Sequence, residues 1–101
     1  MKAIPIQVSL EQISRFCGKW KIIEFSLFGS ILRQDFGPDS DVDVLVAFAP
    51  DHGWSLFDWV EMIDELKAMF GREVDLVARS GLKNPFRRQE IMRTRQVMYA
   101  A

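Results

Sequence analysis

Asp41 and Asp43 interrupt an apolar run of valine, leucine and alanine that ends near Phe48. Side chains alternate along a strand with a period of two, so a strand here projects both carboxylates from one face. Close carboxylates repel each other and are costly to bury unless a cation sits between them. A donor set made only of oxygens favours Mg²⁺ or a similar hard ion. Ahead of them, the apolar run Ile22 to Phe28 stops at Gly29-Ser30, and ten residues, Ile31 to Ser40, lead on to Asp41. A Gly-Ser turn after a strand brings backbone N–H groups and a hydroxyl close to a phosphate. Together these residues describe a metal–nucleotide site. A lone Asp-x-Asp is ordinarily a solvated strand face. Here the preceding turn and a third carboxylate, Asp75 between Val74 and Leu76, argue otherwise. Strand interiors disfavour aspartate, so Asp75 reads as a third ligand or as a base for an attacking hydroxyl.

Other residues carry less. Arg33 lies one helical turn beyond Ser30 and reads equally as a phosphate contact or a surface arginine. Ser40 joins Gly29, Ser30 and Arg33 in the expected nucleotide-binding set. Glu73 reads as an exposed strand-end residue, and His52, beside Pro50 and Gly53, as a solvated loop residue. Cys17 has no histidine near it in sequence and reads as a small buried apolar residue. Trp20, Trp54, Trp59 and Tyr99 read as packing aromatics. From Arg79 to Arg95 the chain is basic: Arg79, Lys83, Arg87, Arg88, Arg93 and Arg95 stand against Glu90 alone. A solvated helix face is the plain reading; a surface for a nucleotide tail or an acidic partner is the other.

The elements that must position these residues follow from local signals. Residues 1 to 8 read as an arm or short edge strand, with Pro5 excluding a central strand. Ser9 and Gln12 form a capping box, and Leu10, Ile13, Phe16 and Cys17 recur at helical spacing, with Gly18 weakening the helix end. Ile22 to Phe28 is a strand, and Gly29-Ser30 opens a short helix of about Ile31 to Gln34. Residues 35 to 40 are dense in turn formers. Asp41 to Phe48 is a second strand whose other face, Val42, Val44, Val46 and Phe48, points to the core. Ser55 caps a helix running to about Phe70, with Asp58 at its third position. Its stripe is Leu56, Trp59, Val60, Ile63, Leu66 and Phe70, with Met62 and Met69 at the margins. Gly71 stops it. Glu73 to Ala78 is a third strand, and Pro85 starts a last helix of about Phe86 to Thr94. Val97-Met98-Tyr99 packs back onto the body. Helices alternating with three strands give an α/β layer architecture.

The 101 residues are expected to form one domain, spanning 1–101, and 49% hydrophobic content supplies its core. A net charge of −1 gives no global basic field, so direct nucleic-acid binding is not expected. No apolar run approaches the ~20 residues of a membrane span, and Met1-Lys2-Ala3-Ile4-Pro5 lacks a signal-peptide core. With Cys17 alone, no internal disulfide forms. A cytoplasmic location fits.

Gly29-Ser30, ten intervening residues, Asp41-x-Asp43 and the later Asp75 resemble the nucleotidyltransferase superfamily related to DNA polymerase beta. Small size and the ending Val74-Asp75-Leu76-Val77 through Ile91 and Tyr99 are similar to its minimal members, the MNT proteins, over roughly residues 10 to 100. These are typically antitoxins paired with HEPN-domain toxins. Gln34 and Asp35 depart from the small or basic residues often found after Arg33. The resemblance implies a small mixed β-sheet with helices packed on it. It also implies transfer of AMP from ATP to a hydroxyl, a tyrosine of a HEPN toxin in characterised MNT antitoxins. Asp41 and Asp43 would hold two Mg²⁺ ions, with Asp75 completing the site beside the nucleophile. Gly29 and Ser30 would hold the triphosphate. So short a chain leaves little for an acceptor domain, which points to a partner protein and a hetero-oligomer. Two alternatives stand beside this reading: an antitoxin that neutralises by contact alone, and the catalytic subunit of a two-chain transferase acting on a small molecule.

Overall fold

A computed structural model describes residues 8–33 and 36–101. The arm expected at the N-terminus and the departures at Gln34 and Asp35 lie outside the described residues, apart from Val8, which packs against the core. Helix α1 (Leu10–Trp20) begins at the Ser9–Gln12 capping box, and both reciprocal hydrogen bonds are made. It runs through Gly18 and is capped by Lys21 with a left-handed backbone. Strand β1 (Ile22–Phe28) follows, then a 3₁₀ turn (Gly29–Leu32) in place of the expected helix at Ile31–Gln34. Strand β2 (Val42–Phe48) starts one residue later than expected and leaves Asp41 just ahead of it. Helix α2 (Leu56–Phe70) opens on the Ser55–Asp58 capping box and closes on Gly71. Strand β3 (Val74–Ala78) excludes Glu73, which is exposed and pairs with Lys67 at 3.1 Å. A short 3₁₀ turn (Arg79–Gly81) leads to α3 (Pro85–Thr94), with Pro85 in its first turn. Gln96–Ala100 forms β4.

The sheet order is β3-β2-β1-β4. β1 pairs antiparallel with β2 and with β4, and β2 pairs parallel with β3. The sheet is therefore mixed, as the resemblance implies, with four strands where local signals gave three. The stretch Val97-Met98-Tyr99 does pack back, but as an edge strand: its backbone groups find their partners on β1, a non-local pairing.

Each face of the sheet carries a core. Val42, Val44 and Val46 of β2 join Phe25, Leu27 and Leu76 against Ile13, Phe16, Cys17 and Trp20 of α1 and Met62, Leu66 and Phe70 of α2. On the other face Phe28 and Leu45 meet Leu82 and Ile91. The α2 stripe is rotated from its expected position. Met62 is fully buried, whereas Leu56 and Val60 are 77% and 51% exposed. The rows Met62–Leu66–Phe70 and Trp59–Ile63 pack into the core with the β2 valines, and Leu56 and Val60 stay outside it. Trp20 and Trp54 pack edge-on at 5.0 Å, and Trp54 Nε1 donates to the Trp20 carbonyl at 2.7 Å. The expectation that these aromatics pack is met.

Candidate functional site

The antiparallel pairing of β1 with β2 sets Phe28 opposite Asp43. The chain leaves β1 at Gly29, directly beside the Asp43 carboxylate. Gly29 has φ +73, the left-handed region that side chains rarely adopt, and a Cβ added there would lie 2.3 Å from Asp43 Oδ2. Glycine is thus required twice, for its backbone and for the closeness of the carboxylate. The next residue completes the contact: the Ser30 backbone N–H donates to the Asp43 carboxylate. The Ser30 hydroxyl donates to the Asp41 carbonyl at a long 3.4 Å.

On the other side of Asp43 the parallel register places Asp75 directly opposite. Three carboxylates therefore come to one end of the sheet: Asp43 half-buried, Asp41 and Asp75 exposed. The Asp43 carboxyl is held above its ordinary range, first by burial and then by the charge of Asp75, with a smaller push from Asp41. The Ser30 N–H and the Arg33 guanidinium pull the other way. Asp43 thus faces more negative charge than its own neighbours relieve. Oxygen-only donors in that state suit a hard divalent cation, so the residues fit Mg²⁺. Among the described residues, no three His, Cys, Asp or Glu side chains are drawn close enough, as they stand, to ligate one ion.

The other expected site residues fall in two places. Arg33 lies at the end of the 3₁₀ turn, on the lip of a cleft of about 410 Å³ lined also by Phe28, Leu32 and Ile91. Ser40 is committed to its own loop: its hydroxyl accepts from the Gly37 N–H at 3.0 Å, and its carbonyl accepts from Arg72 at 3.0 Å. The basic stretch is mostly internally paired. Arg95 meets Glu24 at 3.0 Å, Arg93 meets Glu90 at 2.7 Å, and Arg88 donates to the Arg79 carbonyl at 3.1 Å. Glu24 is the group local reasoning missed. A glutamate in the apolar run Ile22 to Phe28 was its signal. His52 is half-buried: its ring lies 4.7 Å from Phe48, and Nδ1 accepts from the Trp54 N–H. Cys17 is buried, and burial pushes its thiol up to about 12, which leaves it inert as a nucleophile.

A family described as the nucleotidyltransferase domain matches residues 10–98. The chain belongs to that family, and it is an enzyme of the nucleotidyltransferase class. Among its relatives, the protein adenylyltransferase MntA of Thermococcus cleftensis is 39% identical over 66 residues, 65% of each chain. A protein of Methanocaldococcus jannaschii bearing a provisional protein adenylyltransferase name is 32% identical over 73 residues, 72% of this chain and 73% of its own. A solved structure named as a minimal nucleotidyltransferase is 31% identical, covers 86% of each chain and superposes with a TM-score of 0.71. A chain from a toxin–antitoxin complex with AMP-PNP has a TM-score of 0.74 at 19% identity, over 93% of this chain and 75% of that one. At that identity the likeness speaks for the fold. The mixed sheet with flanking helices is thus the architecture of minimal nucleotidyltransferases. No helix among the described residues is long and apolar enough to cross a membrane.

Proposed function

We propose that this nucleotidyltransferase is an antitoxin that transfers AMP from ATP to a hydroxyl, a tyrosine in first place, of a HEPN-type toxin. The observation that carries the reading is the packing of Gly29 against an Asp43 that lies in register with Asp75. It is supported by the adenylyltransferase names of relatives and by a fold neighbour that comes from a structure of a tri-AMPylated Shewanella oneidensis HEPN toxin in complex with MNT antitoxin.

Asp41 and Asp43 would hold two Mg²⁺ ions, with Asp75 as the third ligand, and the metal would supply charge neutralisation at the phosphates and acidify the attacking hydroxyl. The Gly29–Ser30 turn holds the β- and γ-phosphates, and Arg33 supplies a countercharge at its edge. Ser40 acts by shaping the loop ahead of Asp41. The acceptor oxygen attacks the α-phosphorus, the bond to pyrophosphate breaks, and Asp75 takes the hydroxyl proton. Because the carboxylates lie at an exposed sheet end, the acceptor arrives on another chain. We place the protein in the cytoplasm with that partner. The test is to incubate chain and partner with ATP and weigh the partner. Each transfer adds about 329 Da, the mass of an AMP moiety. The increment disappears when Asp41→Asn and Asp43→Asn are combined, and its absence from the parent reaction overturns the reading.

One observation favours neutralisation by contact alone. Leu56, Phe57 and Val60 on the first turns of α2 are 77%, 87% and 51% exposed. They follow the end of β2 opposite Asp43, which lies about 17 Å along the strand from it. Full neutralisation by the inactive double variant would decide for contact.

A further inference from the structure

We infer that Arg72 is a positioning residue for the carboxylate site, clamping the loop that delivers Asp41 to the strand that delivers Asp75. The inference rests on the metal-binding role given above to Asp41 and Asp43.

Arg72 stands between Gly71, the cap of α2, and Glu73, which leads into β3. Its Nη1 donates to the Gly37 carbonyl at 2.9 Å and to the Ser40 carbonyl at 3.0 Å. The guanidinium also lies over the Phe36 ring, 4.4 Å from its centre. The loop it grips is closed on itself. The Ser40 N–H donates to the Gly37 carbonyl at 3.1 Å, and the Gly37 N–H donates to Ser40 Oγ at 3.0 Å. Phe36 in turn packs against the main core. Residues 36–40 are therefore one block, tied at three points to the α2–β3 junction.

Asp41 is the next residue. It lies outside β2 and so takes no position from the strand. One residue further, the Val42 N–H donates to the Glu73 carbonyl at 2.9 Å and begins the register that sets Asp43 beside Asp75. Without Arg72, the loop ahead of Asp41 loses both carbonyl anchors, and the long bond from Ser30 Oγ remains. A guanidinium serves two carbonyls through Nη1 while its carbon stays over a ring; an ammonium is a point donor with no such plane to divide between them. Arg72 touches neither nucleotide nor reacting atom in this account. It acts through the main chain.

Arg72→Lys and Arg72→Met in the full chain test this with two measurements. Amide hydrogen exchange in metal-free protein should quicken at Ser40 and Val42 by about tenfold or more, with α1 amides unchanged. Mn²⁺ titration in the presence of a non-hydrolysable ATP analogue should show half-saturation displaced upward by about tenfold in Arg72→Met, with Arg72→Lys in between. Binding of the metal-free analogue should not change. Exchange at Ser40 and Val42 equal to the parent overturns the clamp, and so does faster exchange with unchanged Mn²⁺ half-saturation. A parent that binds no Mn²⁺ overturns the metal reading instead, and the exchange rates then decide the clamp by themselves. Should Arg72→Met fail to fold, Arg72→Lys carries both measurements.

Discussion

Gly29→Ala is the sharpest perturbation the site allows. The added Cβ meets Asp43 Oδ2 at 2.3 Å, so one of the two must withdraw by roughly 0.7 Å to reach the 3.0 Å that real Cβ atoms keep. Neither can do so freely. The glycine follows β1 directly, and the carboxylate accepts from the next backbone N–H. Two costs add. An alanine at φ +73 loses about 1–2 kcal/mol to left-handed strain. In the proposed mechanism a displacement of this carboxylate approaching 1 Å costs about 10²-fold in rate. Gly53→Ala separates them, since Gly53 has φ +69 and nothing within 4 Å of an added Cβ. Both variants should lose about 1–2 kcal/mol in denaturant unfolding, but only Gly29→Ala should lose about 10²-fold in the initial rate of AMP transfer from labelled ATP. Activity of Gly29→Ala within twofold of Gly53→Ala would refute the reasoning, because the close approach to Asp43 would then have no chemical consequence.

Asp43→Asn removes a carboxyl whose folded pKa is raised by burial and by Asp75. Such a group lowers stability as pH climbs from its unfolded value through its folded one. In EDTA the variant should therefore melt higher than the parent at neutral pH and alike at about pH 3, below the ordinary carboxylate range, and gain less from added Mg²⁺. A lower melting point at neutral pH would mean that the Ser30 N–H and Arg33 outweigh the repulsion. Arg95→Met leaves the half-buried Glu24 with Arg79 alone, at 3.8 Å, and should cost about 1–3 kcal/mol in denaturant unfolding; a neutral result would show that water already satisfies Glu24.

Local signals were legible where they close on themselves. Both capping boxes, the strand Ile22 to Phe28 and the Gly71 stop follow from residues within a few positions of one another. β4 did not, because Gln96 to Ala100 becomes a strand only through its pairing with β1. The α2 stripe was misplaced by about half of one residue's rotation, since a helix with apolar residues on much of its surface does not say which side the sheet will cover. At the site, residue types and spacing gave Gly29, Ser30, Asp41, Asp43 and Asp75. The structure brings them to one end of the sheet, and their roles remain for the experiments above. The spacing did not give the contact of Gly29 with Asp43, because it depends on strand register. Arg72 left no trace in sequence, as its partners are backbone carbonyls far away along the chain.

The parallel pairing of β2 with β3 has a consequence for the order in which the molecule comes into being. Antiparallel neighbours can zip from a local turn, whereas a parallel pair closes only after its whole crossover has formed. Asp43 and Asp75 stand on either side of that crossover, with α2 between them. A growing chain that has emerged only through β2 holds Gly29, Ser30, Asp41 and Asp43 yet lacks the strand bearing Asp75. Assembly of the site is thus tied to one of the slowest kinds of contact in the fold. In the mechanism proposed above, unfinished protein lacks the carboxylate assigned as the base and so has no means of spending nucleotide.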